Sequence, residues 1–566
     1  MHDGVATKIR DKKVNSKYTS KIYFDNKNSY LLGKSGIRNA SRRQKFRKPP
    51  ISSIIKYGQN KSLFDQYEVN VEKCVIIDGC FETNKQTLKE QLIPTTDNLE
   101  CVSHPTELNM KVFDDSVKTV FRKLKKIGIL ENQKFSDIFQ TEISPDKKPG
   151  FRFDEELNLK TKKEALPHAL KIARKRWNFA SKKDLSAFKR NKIFHGVYTI
   201  GARSKRDFTY DEYEPAVSRV VHMPELHCEL TSAPWCDALV ERLKDLANGP
   251  IYLGNSILDW FRLNRDIKDS HFVIEGDWKR FDSTLYIKII TASLSIFRCM
   301  FEHDNEYIDK HFVLMYDTLA IKDYYIPGGK VFRAFHGLPS GVKATSILGS
   351  IINLIALVFC VGPKICKNFN FIVGGDDFLI SARTNKYDSK FLMSEMEKNS
   401  QILGMKFKFL KEKHYDSIKI EDNPVFYKYT IYKGYPVVPT SSALERVFMP
   451  WNKIYNTDKS VHKFLEDVMP SLGKPMTHHL LYYDYLRSII YKRTGVLVKF
   501  SDIIKKHCII YEQMNSRKYV YKLFKYKRDF APIRTNVAHL LLNYKQRKKY
   551  DLTYFSNEII NKFSYL

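Results

Sequence analysis

The hydrophobic positions along this chain change period several times, and each change predicts an element. Around 271–300 the short apolar run HFVIE leads into STLYIKIITASLSIFRCMF, whose spacing predicts a strand and then a helix. Around 336–361 the turn sequence HGLPSG opens a long apolar stretch that predicts a buried helix. Two further short runs, FNFIV and FLIS, flank Gly374-Gly375-Asp376-Asp377 and predict a β-hairpin. Upstream, ISPDKKPGF predicts a loop, followed by the basic helical run LKTKKEALPHALKIARKRWNFA, which Pro167 is expected to break. Residues 51–140 are mixed, and the last hundred are rich in Lys and Tyr and predicted helical. No internal repeat is evident.

Composition narrows the classes. A length of 566 residues corresponds to roughly three structural units. A hydrophobic share of 43% with 13% aromatic residues excludes a wholly disordered chain. Lys+Arg number 95 and Asp+Glu 63, a net charge of +32. That surplus calls for an anionic partner, nucleic acid first and an anionic membrane surface second. A membrane span is not expected. The apolar stretch from Ile347 to Val361 contains Gly349, Ser350 and Asn353 and falls short of the ~20 residues that a bilayer needs. The N-terminus has no apolar signal region. The nine cysteines form no C-x-x-C pair and read as reduced intracellular thiols without zinc. Residues 1–50 hold 14 Lys/Arg against 3 Asp and read as a solvated basic arm ending near Pro49-Pro50.

The candidate chemistry is acidic. Gly375-Asp376-Asp377 would present two carboxylates at a hairpin turn. Adjacent acids raise each other's pKa unless a cation lies between them, and Mg²⁺ favours a few carboxylates plus substrate phosphates. A second acidic stretch, Gly276-Asp277-Trp278-Lys279-Arg280-Phe281-Asp282, follows the strand predicted at 271–275. If the two strands pair, Asp277 and Asp376 lie side by side, as two-metal displacement at phosphorus requires. Between them stands Gly337-Leu338-Pro339-Ser340-Gly341, then Thr345 and Ser346. Its glycines allow close backbone approach to a ligand, and its hydroxyls suit sugar or phosphate oxygens.

This order of acidic strand, Gly-x-Pro-Ser-Gly loop with helix, and Gly-Asp-Asp hairpin resembles motifs A, B and C of viral RNA-dependent RNA polymerases. Phe426-Tyr427-Lys428-Tyr429…Gly434-Tyr435-Pro436 resembles motif E of the partitivirus and picobirnavirus group, the small double-stranded RNA viruses. Ser218-Arg219-Val220-Val221-His222-Met223-Pro224 resembles motif F. Ser144-Pro145…Pro149-Gly150-Phe151 with LKTKKEAL resembles motif G. The resemblance spans roughly residues 140–450.

It implies an α+β right-hand polymerase fold with fingers, a palm built on an antiparallel sheet, and a thumb. The divisions expected are a basic extension over 1–100, fingers over 101–255, palm over 256–300, a fingers insertion over 301–335, palm over 336–435, and thumb with a basic C-terminal region over 436–566. Asp277 and Asp376 would be the principal metal ligands and Asp377 an auxiliary one, for two Mg²⁺ ions that Mn²⁺ could replace. Asp282, Ser340 and Thr345 would meet the incoming ribose. The motif B asparagine is expected at 349, where this chain has Gly349, so Asn353 or Ser346 is left to substitute. Arg219 would lie over the triphosphate, with a second cation from Arg203, Lys205 or Arg206. The motif D general acid falls to Lys411 or Lys413 by spacing from Gly404. Lys147, Lys148, Pro149, Gly150, Lys160, Lys162 and Lys163 would line the template path, with Gly337 and Gly341 also near RNA. Expected partners are the RNA template and product duplex, NTPs and a viral capsid protein, without a membrane, in the virion interior or host cytoplasm. A reverse transcriptase-like palm polymerase and a non-catalytic RNA-binding or packaging protein are the alternatives.

Overall fold

The computed structural model describes residues 108–180, 196–207 and 218–245, residues 249–437 with short gaps, and four short strands ahead of residue 78. Most of the stretches 1–100 and 436–566, including the expected thumb, lies outside the described residues.

The elements that build the site follow in chain order. They are α1 (Met110–Leu124), α2 (Lys162–Ala180), β1 (Gly196–Arg203), β2 (Arg219–Pro224), α3 (Leu226–Asp245), α4 (Ile257–Lys268), β3 (Phe272–Trp278), α5 (Ile287–Arg298), α6 (Glu306–Leu319), β4 (Lys322–Tyr325), β5 (Lys330–Ala334) and α7 (Ala344–Val361). After them come β6 (Phe369–Gly374), β7 (Asp377–Ala382), α8 (Ser389–Ile402), β8 (Phe407–Lys413), β9 (Val425–Phe426), β10 (Tyr429–Tyr432) and β11 (Tyr435–Val437). The result is a mixed α+β protein with several small sheets. One helix differs from expectation: α2 runs through Pro167 without a break. The proline lies near the helix start, where Lys163 and Glu164 are exposed and water can satisfy the carbonyl that loses its partner.

The central sheet has the order β6-β7-β3-β8, with every neighbour antiparallel. Its side chains alternate between two cores, as the period of two demands. Ile274, Trp278, Val373, Phe378 and Ile380 join the main core with α7. Val273, Ile372 and Leu379 join a second cluster with Tyr252, Leu263, Phe426 and Ile431. Asp277 and Glu275 alternate with the main-core residues and so share the face of Val273.

Helix α7 is the one described helix long and apolar enough to cross a membrane. Here it is the axis of the main core, and every residue except Thr345 and Ser346 is buried. It packs against α1, α5, α8 and β6. The half-buried Thr345 and the exposed Ser346 mark the end that faces the site.

A second sheet runs, from its edge, Tyr23–Phe24, Ser29–Lys34, β5, β4, β1 and β2. Strands β1 and β2 are antiparallel, with Arg203 opposite Arg219. Strand β4 lies parallel to β1. Residues 301–335 therefore join the sheet that carries 196–224. Strands β9, β10 and β11 form a small antiparallel sheet of their own.

Candidate active site

Strands β6 and β7 pair from Phe369↔Ala382 to Gly374↔Asp377, leaving only Gly375 and Asp376 to turn the chain. Gly375 has φ +62. Glycine with positive φ at the first central position is what a type II′ hairpin turn requires. Strand β7 pairs next with β3, the register ending at Phe378↔Gly276. One step beyond that pair stand Asp377 and Asp277. The two strands thus bring together acids that lie a hundred residues apart in sequence.

Their electrostatics show how close they are. The Asp376 carboxyl is raised by burial and by Asp277, with Arg219 and Lys408 acting against the rise. Asp377 is pushed up to about 6 by burial, then by Asp376 and Asp277, with Lys428 opposing. Asp282 is pushed up to about 7 by burial and then by Asp376. Four carboxylates therefore share one electrostatic neighbourhood, and a divalent cation is the natural relief. Among the described residues no three His, Cys, Asp or Glu side chains enclose a metal by themselves. Mg²⁺ does not need such a cage, because it is usually held by one or two carboxylates with water and substrate phosphates. The donor set fits such an ion.

A protein cation already sits on one of these acids. Lys408 Nζ donates to Asp277 Oδ2 at 3.0 Å. The register between β8 and β3 shifts between Phe407 and Phe409, so Lys408 is the extra residue of a bulge. Bulges commonly re-aim a side chain beside a site. Phe407 stacks on Trp278 at 4.0 Å, and Leu410 packs in the same core though three residues further on. Lys411 and Lys413 stand opposite Glu275 and Val273, further back along the strand. Of these lysines Lys408 is the one bonded to a carboxylate of the site, whereas Lys411 and Lys413, the expected general acids, stand further back. The bulge, invisible in a lysine-rich sequence, is the reason.

Asn353, expected near the ribose, is held by protein groups. It is fully buried, and both ends of its amide are in use. Its Oδ1 accepts from Trp278 Nε1 at 2.8 Å. Its Nδ2 donates to the carbonyls of Gly375 at 3.0 Å, Asp376 at 3.1 Å and Asp377 at 3.4 Å. One turn earlier on the same helix face, Ser350 Oγ accepts from Gly375 N at 2.8 Å. Asn353 straps the acidic turn to the strand of Asp277, with its Nδ2 donors spent on the turn.

The Gly-x-Pro-Ser-Gly loop is held on all sides. Leu338 N donates to Asp282 O at 2.8 Å. The buried Lys322 Nζ donates to Gly337 O at 2.8 Å. Thr345 Oγ1 donates to Pro339 O at 2.6 Å. Gly337 (φ +77) and Gly341 (φ +92) are needed for the packing of the loop. A Cβ at Gly341 would lie 2.6 Å from His222 O, and one at Gly337 3.0 Å from Asp282 O. At both positions protein backbone fills the space a side chain would take, while Gly341 itself is exposed. Ser346 is exposed and is the hydroxyl at this helix end that no loop contact occupies.

Around the expected template path the structure separates the lysines. Lys147 and Lys163 are exposed. Lys148 and Lys160 both pair with Asp154 at 2.8 Å and keep exposed side chains. Lys162 is drawn into an ion pair with Glu229, both nearly buried, and does not face a template. Pro149 and Gly150 are buried: Pro149 O accepts from Leu226 N at 2.8 Å, and a Cβ at Gly150 would lie 2.7 Å from Glu225 Cα. Pro149 and Gly150 thus pack the loop against the start of α3, and Lys162 ties α2 to α3, so these three expected RNA contacts are held within the protein.

Gly374 makes a sharp steric prediction. A Cβ there would fall on the Tyr427 hydroxyl and lie 2.9 Å from Tyr252 O. Tyr427 is fixed by its own bond to Tyr252 O at 2.9 Å. Gly374→Ala is expected to cost about 1–3 kcal/mol, as overpacking does, and to displace the strand beside Asp376. Chemical denaturation read alongside activity checks this; unchanged stability would contradict it.

Comparison with known proteins fits this arrangement. Residues 216–452 match the family described as viral RNA-dependent RNA polymerase. The match contains Arg219, the four aspartates, the loop and Lys408; the activity its description names is RNA-templated RNA synthesis, a nucleotidyl transfer. Among curated proteins, the chain is 24% identical over 156 residues to the genome polyprotein of Watermelon mosaic virus II (isolate USA), covering 26% of this chain and 15% of that protein. It is 23% identical over 161 residues to the genome polyprotein of Zucchini yellow mosaic virus (strain Singapore), covering 27% of this chain and 5% of that protein. It is 24% identical over 156 residues to that of Turnip mosaic virus (strain Quebec), covering 26% and 5%. The chain thus spans 15% or less of the length of these relatives.

Proposed function

We propose that this chain is an RNA-dependent RNA polymerase, moving nucleotides from NTPs to the 3′ end of a growing strand on an RNA template. The observation that carries the reading is the convergence of Asp277, Asp376 and Asp377 on paired strands, with Arg219, Lys408 and Lys428 as the cations that act on them. In this reading the central sheet is the palm, the sheet of β1, β2, β4 and β5 belongs to the fingers, and a thumb follows within 436–566. Asp277 and Asp376, with Asp377 beside them, would hold two Mg²⁺ or Mn²⁺ ions, which supply acidification of the 3′ hydroxyl and charge neutralisation at the pyrophosphate.

The chain's own residues then have separate tasks. Arg219 supplies a guanidinium fork to the triphosphate. Arg203, opposite it on β1, would supply the second cation. The 3′ hydroxyl gives up its proton to water, its oxygen bonds the α-phosphorus as the bond to the β-phosphate breaks, and the departing pyrophosphate takes a proton. Lys408 is placed to give that proton once the nucleotide draws it from Asp277. General acids of this kind contribute typically 10²–10⁴-fold. Lys408→Met is expected to slow single-nucleotide incorporation about a hundredfold, with Lys411→Met and Lys413→Met within about twofold of wild type. Equal effects at all three positions, read by rapid-quench kinetics, would remove Lys408 from this role.

Asp282, beside the site and with Ser346 exposed nearby, is the group that meets the ribose. A carboxyl that bonds the 2′ hydroxyl is left unpaired by a deoxy sugar. The finer reading is a polymerase of a partitivirus-like double-stranded RNA virus, acting with capsid protein in the virion interior or host cytoplasm. Its support is the likeness of Phe426-Tyr427-Lys428-Tyr429…Pro436 and of the 144–151 loop to that group. The test is incorporation on single-stranded RNA with Mg²⁺, offering ribonucleotides and deoxyribonucleotides separately. Ribonucleotide product supports the reading. Preference for deoxyribonucleotides would favour a reverse transcriptase, and RNA binding without any product would favour a packaging protein.

A further inference from the structure

The contact between strand β2 and the Gly-x-Pro-Ser-Gly loop falls on one buried side chain that none of the proposed chemistry uses. His222 Nδ1 accepts from Ser340 N at 3.0 Å, which leaves the ring proton on Nε2. The Ser340 hydroxyl lies 3.1 Å from the same nitrogen and 3.4 Å from Val220 O. Gly341 presses on the His222 carbonyl so closely that no side chain fits. The ring packs on Tyr324 at 5.0 Å. Val220 and His222 belong to the strand that starts at Arg219, whose charge reaches Asp376.

We infer that His222 is a positioning residue: its bare Nδ1 seats the loop on β2 and turns the Ser340 hydroxyl proton toward the protein, so that Ser340 presents only lone pairs to a bound nucleotide. This deepens the polymerase reading and rests on it for the nucleotide. Burial, and then Lys322, lowers the proton affinity of His222 to about 3, so the ring stays neutral and Nδ1 remains an acceptor. Lys322, which grips Gly337 O from β4, holds the other end of the loop. The two strands flank β1 in one sheet, so a single rigid sheet fixes the loop at both ends. A loop held this way costs less entropy to order when a nucleotide binds.

Two substitutions separate positioning from packing. His222→Asn keeps an acceptor near the place of Nδ1 and loses the ring. His222→Phe keeps a ring against Tyr324 and loses the acceptor. Hydrogen exchange at the Ser340 amide is the first readout, because it needs no catalysis. Exchange is expected to stay slow in His222→Asn and to quicken about tenfold in His222→Phe, the effect of losing one hydrogen bond. The apparent KM for NTP is the second, expected to rise about tenfold in His222→Phe with kcat and melting temperature little changed. If His222→Phe leaves both readouts at wild-type values, or His222→Asn is the variant that loses them, the inference is overturned and the residue only packs. Should wild type incorporate no nucleotide, the polymerase reading fails, and the exchange measurement still decides whether His222 seats the loop.

Discussion

Asp376→Asn is expected to lower nucleotide incorporation on the order of 10³-fold, the scale of losing one preorganised electrostatic contact at a reacting centre. Asparagine keeps the shape of the turn and can still accept through its oxygen, but it removes one of the charges that a divalent cation would balance. Asp376 sits where burial and Asp277 already press it toward the neutral form, while Arg219 and Lys408 draw it back. Removing its charge therefore relieves repulsion in the free protein, and folding should be unharmed or slightly favoured. Loss of activity with equal or higher melting temperature is the expected pattern. The cation itself gives a second readout: Mn²⁺ bound to the nucleotide-free protein, followed by paramagnetic resonance, should weaken in the variant. Activity close to wild type would mean that the metal sits elsewhere.

The second large effect is expected at Asn353. Replacing it with leucine, of similar volume, strands the Trp278 indole N–H and removes the donor to three consecutive carbonyls of the acidic turn. Buried polar groups left without partners cost about 1–3 kcal/mol each, so stability should fall by about 2–4 kcal/mol. The carboxylates should drift relative to one another, and displacements of an ångström at a reacting centre cost on the order of 10²-fold in rate. Discrimination between ribonucleotides and deoxyribonucleotides should stay unchanged, because the side chain strap serves the turn and not the sugar. A variant that keeps stability and rate but accepts deoxyribonucleotides would restore Asn353 to the ribose.

How much of this was legible in the sequence depended on whether the signal was local. The hairpin around Asp376 could be read because alternation and turn chemistry lie within a dozen residues. The pairing of its strand with that of Asp277 could only be posed as a condition, because strand partners distant in sequence are set by the fold. Helix α7 announced itself by composition, and Asn353 stood out in it as a polar residue. Its role did not, because the partners of a buried amide are fixed by the three-dimensional fold. The same holds for His222, which meets Ser340 across 118 residues, and for Lys162, which is neutralised by Glu229 on another helix. Lys408 was hidden for a different reason: a bulge adds one residue to a strand and shifts the face of everything after it, and nothing in FKFLKEK marks where that happens. The glycines at 337 and 341 were recognised as unusual, but a missing side chain admits a neighbouring backbone as readily as a ligand.

The most direct test of the account is the product made on a heteropolymeric RNA template with Mg²⁺ and four ribonucleotides. The account predicts RNA complementary to the template from wild type, on the order of 10³-fold less from Asp376→Asn, and equal template binding by the two proteins. Wild-type protein that binds the RNA and makes no product with Mg²⁺, with Mn²⁺ or with capsid protein added would contradict it.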